Sequence, residues 1–134
     1  MPEKLSELGS AAFQGCENIK ITTIPPKIKT LSSWTFQGCP NVKISNFGGA
    51  NGESKLKVIE SNCFHSAGNG SSDLNLEEII FNYSIERIGV NAFYNYGTNT
   101  LKAVYFARPY EGSPAPYGTT PYNMGFTNPD LHIG

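Results

Sequence analysis

Four times along the chain a phenylalanine follows an apolar residue five positions upstream and another eight upstream. Phe13 follows Leu8 and Leu5, Phe36 follows Leu31 and Ile28, Phe64 follows Ile59 and Leu56, and Phe93 follows Ile88 and Ile85. The anchors stand 23, 28 and 29 residues apart, a period that marks stacked repeats, because one short unit cannot bury its own apolar side. After each anchor runs a hexad of the form apolar-x-x-(apolar or small)-x-apolar, at residues 19–24, 42–47, 76–81 and 101–106. Its β-branched content predicts a short strand, which Pro25-Pro26 ends in the first unit. Gly- and Asn-rich sequence at 48–55 and 65–73 reads as loops inserted in the second and third units.

Side chains alternate faces near the centre of a strand, so the fourth and sixth hexad positions are expected inside and the third and fifth outside, with the first inside at the entry bend. The outward columns are then Ile21, Ile44, Glu78 and Ala103 at the third position, and Thr23, Asn46, Ile80 and Tyr105 at the fifth. For a wet surface these are apolar, and a patch joining Ile21, Ile44, Ile80 and Tyr105 is a candidate protein-contact site. The competing reading is that β-branched residues simply favour strands, or that the tail covers them. The four phenylalanines are expected to stack into one core column, where burying a ring contributes about 1.5–3 kcal/mol.

From Ala107 the pattern stops. Five of the nine prolines lie beyond it, with Tyr110, Tyr117, Tyr122 and Phe126 among them. The domain division is accordingly 1–106, a repeat solenoid of about four units, and 107–134, read as an irregular Pro/Tyr-rich cap over the last coil in preference to a disordered tail. The chain enters at the Leu5 half of a unit with no strand before it, which suggests a piece of a longer array or a homo-oligomer formed through the amino-terminal end.

Composition narrows the function. A net charge of -1 with 16% charged residues gives no support for a nucleic-acid partner. No run approaches the roughly 20 apolar residues that would insert in a membrane. His65 and His132 are the two imidazoles; a pairing of His65 with Asp73 is conceivable, but a solvated loop is the simpler reading. With no metal or nucleophile motif, neither a cofactor nor an enzyme is expected. Cys16 and Cys39 share a repeat position and either pack as small core residues, the favoured reading, or bridge; Cys63 sits elsewhere. Asn69-Gly-Ser71 and Asn82-Tyr-Ser84 have the form of glycosylation acceptors.

The unit apolar-x-x-apolar-(Gly/Ser)-x-x-Ala-Phe-x-x-Cys, followed by a short strand, resembles the BspA-like leucine-rich repeats. The match is carried by Leu5, Leu8, Gly9, Ala12, Phe13, Gly15, Cys16, Ile24 and Pro25; by Ile28, Leu31, Phe36, Gly38 and Cys39; and by Ile85, Ile88, Gly89, Ala92 and Phe93. It departs at Trp34, at the missing Cys of the last two units and at the two insertions. The resemblance implies a right-handed leucine-rich repeat superhelix with short parallel β-strands and short helical turns. It also implies a secreted or cell-surface module that binds a protein or glycan ligand, with adhesion among the known roles. The alternative is a structural spacer or self-assembly element with no specific ligand.

Overall fold

The computed structural model describes residues 4–49, 51–68, 76–82, 84–96 and 101–106, and the backbone of 132–133. Six short strands are present: β1 (Thr30–Leu31), β2 (Val58–Ile59), β3 (Glu78–Phe81), β4 (Arg87–Ile88), β5 (Ala103–Phe106) and β6 (His132–Ile133). They form two parallel sheets, β1-β2-β4 and β3-β5-β6, and there is no helix among the described residues. The third and fourth repeats each lay one strand in each sheet, with the phenylalanine turn between them.

The turn is the best-conserved local structure from one repeat to the next. Residues two before and two after each anchor are left-handed: Ala11 and Gly15, Trp34 and Gly38, Asn62 and Ser66, Asn91 and Asn95, with φ between +55° and +70°. Glycine, and next to it asparagine, tolerates this region best, which accounts for Gly15, Gly38, Asn62, Asn91 and Asn95. Around Phe64, the N–H groups of Cys63, His65 and Ala67 bond three residues back within the turn, to Glu60, Asn62 and Phe64. The intervening N–H groups of Asn62, Phe64 and Ser66 donate to Val90, Ala92 and Tyr94 of the next repeat. The same division holds between Phe13 and Phe36, where Ala11, Phe13 and Gly15 donate to Ser33, Thr35 and Gln37. Alternate N–H groups therefore close the turn and stitch the stack, which satisfies this backbone without helix or sheet.

The anchor rings stack as expected. Centroids of Phe13 and Phe36 lie 5.7 Å apart, those of Phe36 and Phe64 5.1 Å, and those of Phe64 and Phe93 5.1 Å, with interplanar angles of 6°, 20° and 6°. The sixth hexad position supplies a second ladder, Phe47 on Phe81 at 5.3 Å and Phe81 on Phe106 at 5.1 Å. The ladders meet edge to face, Phe47 against Phe64 and Phe93 at 82°, a geometry aromatic quadrupoles favour. Ile28, Leu56 and Ile85, with Leu31, Ile59 and Ile88, fill the rest of the core, whereas Leu5, Leu8 and Phe13 at the end of the stack are half-buried.

The strand expectations hold at 76–81 and 101–106, where β3 and β5 pair in register from Glu78 with Ala103 to Phe81 with Phe106. At 19–24 and 42–47 they reduce to single parallel bridges, Ile21 with Val42 and Asn46 with Ile80. The first unit is thereby offset by two residues from its expected alignment with Ile44, a slip that keeps the inward face inward. The sheet β1-β2-β4 was not anticipated, because two-residue strands leave no alternation to read. In β6, residues 132–133 run parallel to β5, with His132 opposite Ala103; the rest of the segment 107–134 lies outside the described residues.

Candidate binding surface

The fifth hexad position forms a continuous row on the outside of the stack. Asn46 bridges Ile80, and Ile80 is paired with Tyr105. Asn46 is exposed, Ile80 half-buried and Tyr105 38% exposed. Thr23 and Glu78 are also exposed. Below Tyr105, Lys102 and Glu77 stand 3.9 Å apart across the same two repeats.

Three of the expected outward residues are inside. Ile21 is 5% exposed, Ala103 8% and Ile44 0%, so the four-residue apolar patch reduces to Ile80 and Tyr105. For Ile44 the cause is specific. Val42 pairs with the repeat below and Asn46 with the repeat above; between them the Ile44 backbone bonds to neither. Its N–H donates to the Tyr96 hydroxyl at 2.5 Å, and that hydroxyl donates to its carbonyl at 2.8 Å. The strand breaks there and the side chain joins the core. Ile21 lies level with Val42, a core position, through the two-residue offset. Ala103 is small enough for its neighbours to cover.

Tyr96 holds the repeat position of Cys16 and Cys39, three residues after the anchor, where the third unit has Ala67. The position is internal: Cys39, Ala67 and Tyr96 are all buried. The three cysteines are free thiols. Cys39 donates its S–H to the Phe13 carbonyl at 2.8 Å. Burial pushes the thiols of Cys39 and Cys63 up from their ordinary range, which leaves them protonated and unreactive at neutral pH.

Among the glycosylation acceptor forms, Asn82 is a structural residue. It is 5% exposed and its amide nitrogen donates to the Leu56 carbonyl at 2.6 Å and to the Ser84 hydroxyl. Ser84 in turn donates to Leu56 at 2.7 Å. The pair fastens the start of one repeat to the next, and the folded chain offers no nitrogen there to a glycan. Asn69, and the Asp73 considered for His65, lie outside the described residues.

His65 sits on the surface between two other rings. Its centroid is 5.7 Å from that of Trp34 and 4.7 Å from that of Tyr94, and its Nδ1 lies 3.1 Å from the Ser66 hydroxyl. Sequence reasoning missed this exposed aromatic row. Its signal was that Gln14, Gln37, His65 and Tyr94 each follow an anchor phenylalanine directly. No group of three or more His, Cys, Asp or Glu residues suited to a metal occurs among the described residues, and no helix there is long and apolar enough to cross a membrane.

A family model of the BspA type leucine rich repeat region matches residues 1–109, in six copies where the phenylalanine anchors mark four units. No curated protein and no solved structure matches the chain. The family implies a repeat solenoid that works as a protein-interaction module, and its short parallel strands and repeated turns are those described above. The chain belongs to the BspA-type leucine-rich repeat family.

Proposed function

We propose that this chain is a non-enzymatic binding module of a secreted or cell-surface protein, meeting a protein or glycan through the outer face of its hexad strands. In this reading the repeats form a right-handed curved solenoid, and residues 107–134 cover its last coil. The observation that carries the proposal is the row Asn46, Ile80 and Tyr105, one residue from each of three successive repeats, with a large ring exposed at its end. A polar-tipped aromatic beside an aliphatic side chain on a rigid scaffold is what protein-contact surfaces are enriched in. Ligand is held by shape and apolar contact, with no bond made or broken.

The test is binding of the purified chain to an array of purified extracellular-matrix glycoproteins. Saturable binding that falls at least tenfold in Tyr105→Ala and in Ile80→Lys, with the melting temperature of Tyr105→Ala unchanged, supports the proposal. Binding that survives both changes overturns the strand face as the contact surface, and none at all across the array favours the spacer reading.

A further inference from the structure

A second surface borders the other sheet, β1-β2-β4. The positions nine and seven before the anchor phenylalanines hold Lys4 and Ser6, Lys27 and Lys29, Lys55 and Lys57, and Ser84 and Glu86. Half of the chain's ten Lys and Arg residues thus fall at two repeat positions, so the net charge of -1 conceals one basic strip. The fold brings the central four together. Lys27, Lys29, Lys55 and Lys57 are exposed while Ile28 and Leu56, between them, are buried, as expected where residues two apart share a face. The register that sets Thr30 opposite Val58 continues backwards along both repeats. The Lys57 N–H donates to the Lys29 carbonyl at 2.8 Å, and the Lys55 N–H to the Pro26 carbonyl at 3.0 Å. Lys29 therefore lies beside Lys57 and Lys27 beside Lys55, in a grid about 4.8 Å from repeat to repeat and about 6.6 Å along each one.

Stability does not explain this grouping. Like charges opposite one another on neighbouring strands repel, and here two such pairs adjoin. The fourth repeat shows the usual remedy: Glu86, next in the row of Lys29 and Lys57, stands 3.9 Å from Lys57. Lys27, Lys29 and Lys55 form no ion pair among the described residues. Glu7 and Lys29 both line a hollow of about 400 Å³ between the first repeat and β1, without pairing. Three unneutralised ammonium groups and a fourth weakly paired one are held on adjoining backbones, where an anion with several charges could meet them together.

We infer that Lys27, Lys29, Lys55 and Lys57 form a docking strip for a sulfated linear glycan. Charge complementarity asks for a polyanion, and the make-up of the strip selects among polyanions. Single-stranded nucleic acid is held by bases stacked on aromatic or guanidinium planes, and none of these four positions carries either. A membrane surface holds a peripheral protein through basic residues joined to apolar side chains that enter the lipid; the apolar residues between these lysines, Ile28 and Leu56, are turned into the core. A sulfated glycan needs neither. It carries compact anions along both edges of its chain, and two columns of lysine ammonium groups answer them as point charges. The extracellular source of such a glycan rests on the reading proposed above, whereas the charge geometry stands without it.

The probe is a fluorescein-labelled heparin hexasaccharide, titrated with the full chain at low salt and read by anisotropy. Saturable binding is expected, weakening with added NaCl at a log–log slope of roughly -3 as four lysines displace counterions. Lys29→Gln alone should flatten that slope by about one. Lys27→Gln, Lys29→Gln, Lys55→Gln and Lys57→Gln together should weaken binding at least tenfold, with the melting temperature unchanged or raised. Lys20→Gln, an exposed lysine elsewhere, and Tyr105→Ala on the strand face should bind the hexasaccharide as the parent chain does, which separates failure here from failure of the strand-face reading. No saturable binding, an unchanged slope in Lys29→Gln, binding that survives the fourfold change, or an equal loss in Lys20→Gln overturns the proposal. So does equal or tighter binding of a single- or double-stranded oligonucleotide, of polyglutamate, or of phosphatidylcholine vesicles carrying phosphatidylserine.

Discussion

The Tyr96 hydroxyl closes a loop of hydrogen bonds with one residue 52 positions earlier, accepting from the N–H of Ile44 and donating to its carbonyl. Tyr96 stands where earlier repeats carry a cysteine, and Ala67 at the same position in the repeat before it is small. The ring packs edge-on against Phe64 and Phe93, at 5.2 and 5.3 Å. It thereby supplies partners for a peptide unit that the broken hexad of the second repeat leaves without a strand. The tyrosine that replaces the repeat's cysteine thus fills the break in the strand of the second repeat from inside the core.

Tyr96→Phe keeps the ring and removes the hydroxyl. Both polar groups of Ile44 then stay buried without that partner, which costs about 1–3 kcal/mol. Thermal unfolding followed by circular dichroism should show a drop of several degrees. An unchanged midpoint would mean that water or a neighbouring group takes the hydroxyl's place.

The same burial gives the fold an alkaline limit. Tyr96 and Cys63 are fully buried, and desolvation raises both above their ordinary values of 10.0 and 9.0; Cys39 is raised as well, by burial first. In the unfolded chain these groups lose their protons near the ordinary values, while the folded chain holds on to them. The native state then binds more protons, so stability is level below about pH 9 and falls as pH rises beyond it. Midpoints of urea unfolding measured from pH 7 to 11 should decline above pH 9. The decline should be shallower in the Tyr96→Phe, Cys63→Ala double variant, whatever its starting stability.

How much of this was legible follows from what the sequence repeats. The anchor column and the Leu/Ile columns recur at fixed offsets, so their stacking could be written down from Phe13, Phe36, Phe64 and Phe93 alone. The hexad face was legible where two neighbouring repeats both keep regular strands, at Glu78–Phe81 and Ala103–Phe106. It failed at Ile44 because the partner that turns it inward, Tyr96, is two repeats away and departs from the repeat. It failed at Ile21 because that residue pairs with Val42, a buried first-position residue, and not with Ile44; a two-residue slip keeps the alternation and so leaves no mark in the sequence. The exposed ring row escaped notice because Trp34 and His65 hold different repeat positions and meet only when the turns are stacked.

Phe36 sits in the middle of its column, between Phe13 and Phe64. Its side chain is wholly buried. Phe36→Ala should cost about 3–5 kcal/mol, the lost transfer energy plus the cavity between two rings that the backbone stitches hold apart. Denaturant unfolding of the purified variant measures it; a change below about 1 kcal/mol would show that the column closes up or that the first repeat contributes little to the stack.

Gly9 and Gly89 occupy the same position, four residues before their anchors, yet the stack treats them differently. A Cβ at Gly89 would run into the Ser61 nitrogen and lie 2.8 Å from the Glu60 carbonyl carbon, both backbone atoms that cannot swing aside. A Cβ at Gly9 would meet nothing within 4 Å. Neither has a positive φ, so the difference is one of space alone. Gly89→Ala forces two repeats apart and should cost about 1–3 kcal/mol. Gly9→Ala should be neutral, or stabilise by about 0.4–1 kcal/mol through the less flexible unfolded chain. Parallel melts of the two variants read the packing of the stack directly. Equal losses at both sites would mean that the fourth repeat does not press on the third as closely as Gly89 and Ser61 require.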